Sequence, residues 1–185
     1  DEDDYFQSGL FTIARRRILW LLILVLANGL TTKVIAMNDQ ILKEIVLLAA
    51  FIPLLIGTGG NVGAQSSTVV IRGLSTQKLK SMGAFKVVVK EAITGALLGI
   101  LMILVVFPFA WWQGEGPLIA SAVGISLISI TTLAATAGAI LPLLFDRMGL
   151  DPALMSSPFI TTVTDIAGVF IYLSTANWLL NSSIL

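Results

Sequence analysis

Five long apolar runs, separated by short clusters of polar and turn-forming residues, set the pattern of this chain. A helix rises 1.5 Å per residue, so about 20 apolar residues are needed to cross a hydrocarbon layer about 30 Å thick. Runs near 18–36, 45–71, 85–112, 117–145 and 157–180 meet that length, and each predicts a membrane-crossing helix. The joins fall at Met37 to Gln40, Gly73 to Gln77, Gln113 to Pro117 and Asp146 to Pro152, where Gly, Pro, Asn and Asp gather. The expectation is an all-α integral membrane protein, with residues 1–185 forming one transmembrane domain of five helices.

Composition agrees with the pattern and narrows the chemistry. The chain is 56% hydrophobic and 12% charged, with mean hydropathy +0.94, whereas soluble domains are about a quarter charged. It has no cysteine and no histidine. That excludes zinc sites of the Cys/His kind, thiol catalysis, disulfides and a histidine pH switch, and it leaves oxygen as the only ligand type for a metal. A net charge of zero gives no reason to expect nucleic acid. The chain opens at Asp1 without an initiator Met and without a signal-peptide pattern, as expected of a fragment whose soluble N-terminal part has been removed.

Lys and Arg are sorted by position. If the N-terminus is cytoplasmic, the inner side receives Arg15, Arg16, Arg17, Arg72, Lys78, Lys80, Lys86, Lys90 and Arg147, and the outer side only Lys33 and Lys43. Nine of the 11 cations on one side predict a cytoplasmic N-terminus and an outside C-terminus. The basic linker from Gly73 to Lys90 is ordinary topology signalling, or else a surface for anionic lipid or for a cytosolic domain. Glu91, near the inner end of the third run, is expected to pair with Lys86 or Lys90, or to draw cations to an inner vestibule. The third run, rich in Leu, Ile and Val, reads as lipid-exposed, with Phe107, Trp111, Trp112 and, in the last run, Trp178 as interface anchors.

The second run is the least lipid-like. From Pro53 to Thr68 it holds a proline, four glycines, two amides and four hydroxyls, and such a backbone belongs against protein or a water-filled cavity. Gly57, Asn61, Ala64, Gln65, Thr68 and Arg72 recur at three and four residues and share one helical face. Gly60 and Gly63 allow close backbone approach. Tight packing and a pore lining both suit that face. In the fourth run, Ser129, Thr132 and Thr136 lie beside Ala134, Ala135, Ala137 and Gly138, which reads as a small-residue packing face.

The fifth run carries Pro158, Thr161, Thr162, Asp165 and Gly168 on another such face. Asp165 is the one carboxylate well inside an apolar run, and a charge at that depth costs at least about 2.5–3.5 kcal/mol on insertion scales. An ion or substrate pathway is the default reading, with a structural hydrogen bond to Asn61 or a hydroxyl as the alternative. An intramembrane aspartyl protease would need a second carboxylate at the site, and a serine hydrolase would need a base. A bare membrane anchor has no reason to bury Asp165. A secondary transporter is the nearest rival to a channel, but no internal repeat is evident in five unequal runs.

The string Pro53…Gly60-Asn61-Val62-Gly63-Ala64-Gln65, the basic Arg72 end, and Asp151-Pro-Ala…Pro158…Thr161-Thr162…Asp165 together resemble the transmembrane domain of the MgtE family of magnesium channels. The resemblance covers essentially the whole chain. It implies a homodimer of five-helix protomers around one central pore in the plasma membrane, with cytosolic magnesium-sensing domains that this chain lacks. Asp165 matches the family's pore aspartate, and Asn61 to Gln65 its polar string. The position two turns before Asp165, an amide in some members, is Ser157 here.

Magnesium suits such a site, because it gives up water reluctantly and is commonly held by one or two carboxylates while it keeps several waters. Two chains on a twofold axis would set two Asp165 carboxylates across one pore, −2 opposite a +2 ion. Asp165 is thus the expected metal-binding residue, with Gly57, Gly60, Asn61, Gly63, Gln65, Thr68, Ser157, Thr161, Thr162 and Gly168 as lining candidates. Protons are expected to compete with Mg2+ there at mildly acidic pH.

Overall fold

The structure, a computed structural model, describes residues 9–76, 79 and 83–182. Lys78 and Lys80, and the side chains of Arg16 and Arg17, on which the expected charge asymmetry partly rests, lie outside that description. No strand occurs among the described residues. The helices are α1 (Leu10–Met37), α2 (Asp39–Glu44), α3 (Val46–Ser75), α4 (Ala84–Ala110), α5 (Gly116–Arg147) and α6 (Pro152–Ser182).

Among the described residues, four helices are long and apolar enough to cross a membrane: α3, α4 with its extension to Gln113, α5, and the Ser156–Asn181 part of α6. In α1 the described apolar part is Leu21–Met37. Two expected joins take helical form. The first contains the short α2, which holds an exposed ion pair between Lys43 and Asp39. The third is a π-helical turn over Trp111–Glu115, closed at Gly116, whose φ of 82° lies in the region that glycine adopts without a Cβ penalty.

α5 is the centre of the bundle. It packs against α3, α4 and α6, while α3 and α6 also pack on each other and α1 runs along α6. Of its apolar span 61% is buried, against 17% for α4. Lipid tails are as apolar as Leu, so helices in a bilayer are held by close van der Waals fit at small residues. The seams show this directly. A methyl group on Gly95 of α4 would lie 2.5 Å from the Thr131 carbonyl oxygen and 2.7 Å from Ala135 Cβ on α5. On α3, a methyl on Gly63 would lie 2.5 Å from Ile160 Cγ2 and 3.2 Å from the Ala134 carbonyl oxygen; one on Gly138 would run into the Gly63 carbonyl. Larger side chains close one end of the bundle, where Leu48, Leu55, Leu127, Ile130, Tyr172 and Leu173 are buried together.

The two kinds of small polar residue in α5 separate. Ala134, Ala135 and Gly138 are buried in the seams, as expected, whereas Ala137, expected with them, is half-buried and lines the groove described next. Ser129, Thr132 and Thr136 face an open groove instead, together with Leu133, Ile140 and Val163. Their hydroxyls donate to the carbonyls of Ile125, Ile128 and Thr132 one turn back, at 3.1, 2.7 and 2.7 Å. A hydroxyl that closes its bond within its own helix can face lipid.

Candidate functional site

α3 has two sides of opposite character. Leu48, Phe51, Leu55, Gly59, Val62, Ser66 and Val70 are buried in the bundle. Gly57, Asn61, Gln65, Thr68 and Arg72 are exposed, and Ala64 among them is half-buried. The polar face read from helical spacing therefore points away from the body of the protomer. Neither Asn61 nor Gln65 makes a side-chain hydrogen bond to another described residue. The Thr68 hydroxyl donates to the Ala64 carbonyl at 2.8 Å, which leaves its oxygen lone pairs free to accept.

α6 continues that face. A methyl on Gly60 would meet Thr161 Cγ2 at 3.9 Å, an ordinary contact, so Thr161 stands against α3 at the edge of the exposed strip. Ser157 and Thr161 are exposed, and Thr162 and Asp165 are half-buried. The Thr161 hydroxyl donates to the Pro158 carbonyl at 2.9 Å. Asp165 lies one turn beyond Thr161 on the same side of α6. It has no hydrogen bond and no ion pair among the described residues, so the expected alternative of a bond to Asn61 or a hydroxyl is not formed within the protomer.

Two lining candidates have a different place. Gly63 is buried in the three-way contact of α3, α5 and α6, and Gly168 is buried against Ile130 and Ile56. Both let helices approach. The buried hydroxyls of Ser156 and Tyr172 on α6 have no hydrogen-bond partner among the described residues, and nothing in the spacing of the sequence singles them out. Glu91 is half-buried, and no ion pair joins it to Lys86 or Lys90; the only ion pair among the described residues is Lys43–Asp39.

An exposed amide strip inside an apolar span needs a reason. An amide without a hydrogen-bond partner in hydrocarbon costs roughly 4–8 kcal/mol on the cyclohexane scale. With two amides and one carboxylate on the strip, contact with lipid chains is the costliest of its options; water or a second polar surface is the cheapest. No cluster of three or more Asp or Glu occurs among the described residues, so a cation at this strip would meet one carboxylate per protomer, Asp165, and would have to keep most of its water.

The chain matches the family model for MgtE, divalent cation transporter, over residues 52–175, which takes in α4, α5 and most of α3 and α6, with both the amide strip and Asp165. The chain belongs to the MgtE family. It is 38% identical over 178 residues to the magnesium transporter MgtE of Thermus thermophilus, covering 96% of this chain and 39% of that protein. With the proteins of the same name in Enterococcus faecalis and Bacillus subtilis, identity is 34% over 168 residues and 31% over 182; these cover 89% and 98% of this chain, and 36% and 40% of theirs. The chain thus spans about two fifths of the length of these relatives. Members of the MgtE family are membrane transporters and not enzymes, and this chain is a membrane protein of that family.

Proposed function

We propose that this chain is the ion-conducting part of a magnesium channel in the plasma membrane and that it works as a homodimer. The pore runs between the two protomers and is lined by α3 and α6, with the N-terminus cytoplasmic and the C-terminus outside. Mg2+ is the cargo, and cytosolic magnesium-sensing domains in the longer protein regulate its passage. The observation that carries this reading is the exposed polar strip of α3 and α6 with an unpartnered Asp165 on it. A second copy facing that strip would enclose it and place two carboxylates on a common path.

The chemistry follows from the groups on the strip. Two Asp165 carboxylates present −2 to an ion of charge +2 and hold it through its water shell. The hydroxyls of Thr161 and Thr68 donate their hydrogen bonds to backbone carbonyls, so their oxygens remain to accept from the water that surrounds the ion. Asn61 and Gln65 both accept and donate. Ca2+, which takes six to eight oxygens directly, would lose water without finding enough replacements, and monovalent ions feel half the attraction. Mg2+ flux into proteoliposomes, compared with Asp165→Asn and with Ca2+ and Na+ as controls, tests the proposal. Selective flux that the variant loses is the expected result; equal fluxes of the three ions would refute it.

A further inference from the structure

The basic end of α4 carries a feature that the transport reading does not use. Two shallow grooves adjoin there and share Phe85. One, of about 340 Å3, runs along α4 and is lined by Phe85, Lys86, Val89, Lys90, Ile93 and Thr94. The other, of about 300 Å3, lies between the start of α4 and the end of α5, where Ile140 and Leu144 meet Arg147. Each has apolar walls along the span and cations at its end.

Among the described residues the cations are uncompensated. Lys86, Lys90 and Arg147 form no ion pair among the described residues, and the acids nearest in sequence, Glu91, Asp146 and Asp151, line neither groove. The helix start adds to the excess. α4 begins after Gly83 with no side-chain cap and no acidic residue in its first turn, so among the described residues no side chain accepts from its first backbone N–H groups, and the positive end of its dipole faces no acid of its own first turn. Lys86 stands in that first turn, where a cation is unfavourable unless an anion is beside it.

We infer that these grooves hold an anionic phospholipid, with its phosphate among Lys86, Lys90, Arg147 and the start of α4 and its acyl chains against Phe85, Ile93, Ile140 and Leu144. Phe85, Ile93, Ile140 and Leu144 are exposed at 80, 57, 44 and 47%, a surface suited to hydrocarbon. An acidic protein surface would match the cations and leave these walls uncovered. The inference holds for whichever leaflet borders this end, and it is independent of the ion that the protein carries.

Native mass spectrometry of the detergent-purified chain, titrated with phosphatidylglycerol or phosphatidylcholine, tests it. Retention of phosphatidylglycerol over phosphatidylcholine is expected. The triple variant K86Q/K90Q/R147Q should weaken phosphatidylglycerol binding by about a hundredfold, since each cation near a headgroup contributes about fivefold. K33Q/K43Q, at the other end, should leave binding unchanged. Ile140→Trp, which fills one groove and keeps every charge, should weaken binding with unaltered helical circular dichroism. Equal retention of the two lipids, binding that survives the triple variant, or an equal loss in K33Q/K43Q would overturn the inference.

Discussion

α3 and α4 are both long apolar helices of one bundle, yet their outward faces are opposites. On α4, Leu97, Ile100, Leu101, Leu104 and Val105 are each more than half exposed, which is what a bilayer asks of a helix. On α3 the outward face is Gly57, Asn61, Gln65, Thr68 and Arg72, which no bilayer rewards. Inward, both helices use glycine to approach α5, Gly95 and Gly99 on α4 and Gly63 on α3. The difference lies wholly in what each turns away from its own protomer: lipid for α4, water and a second copy for α3 on the proposed reading. On that reading, the exposed face that is wrong for lipid is the working surface.

The largest expected effect comes from the one carboxylate on that surface. Asp165→Asn should lower Mg2+ flux on the order of a hundredfold or more, because two copies each lose the charge facing the ion, while the purified protein elutes and unfolds as the parent does. Next, a carboxylate moved to the other face should be rejected: Leu101→Asp should cost about 2.5–3.5 kcal/mol of insertion free energy, read as the membrane-inserted fraction, whereas Asn61→Leu should insert normally and lose flux.

The packing seams sharpen the contrast from inside. Gly138→Ala forces a methyl onto the Gly63 carbonyl and should destabilise by about 1–3 kcal/mol, whereas Gly57→Ala, with nothing within 4 Å of the new methyl, should change stability by less than about 0.5 kcal/mol. Thermal unfolding in detergent distinguishes the two. Acidification should act on the polar face alone. Protons and Mg2+ compete for the same carboxylate, so apparent Mg2+ affinity should fall as pH falls, by up to about tenfold per pH unit for one titrating group, and Asp165→Asn should abolish that dependence. Lys43→Ala should do least: its bond to Asp39 is an exposed i,i+4 pair worth less than about 0.5 kcal/mol.

Much of this architecture was legible in the pattern of apolar runs. The runs expected at 45–71, 85–112, 117–145 and 157–180 became α3 to α6 within a few residues at most ends, because length and hydropathy report directly on a bilayer. The start of α1 did not follow that signal: it begins at Leu10 and carries Arg15 inside the helix, since a helix continues into water where the apolar pattern stops. The polar face of α3 was readable because a 3.6-residue period fixes which side chains are neighbours. Whether that face looked inward or outward was not, since spacing gives the side of a helix and not its rotation in the bundle. The same limit mixed Ser129, Thr132 and Thr136 with Ala134 and Gly138, and grouped Gly63 and Gly168 with the lining. Gly95 and Gly99, four residues apart like Gly59 and Gly63, carried a packing signal that passes unnoticed in a run otherwise typical of a lipid-facing helix.

The chain has no cysteine, so any cysteine introduced is a unique probe of what its face touches. The decisive measurement is labelling of Asn61→Cys, with Leu101→Cys beside it, by a charged, membrane-impermeant thiol reagent added to both sides of a bilayer-reconstituted protein. Rapid labelling at position 61, slowed by Mg2+, with none at position 101, is the predicted result. Equal labelling at both positions, or a position 61 as inert as position 101, would mean that the polar strip of α3 is sealed in packing and is not the wall of a water-filled path.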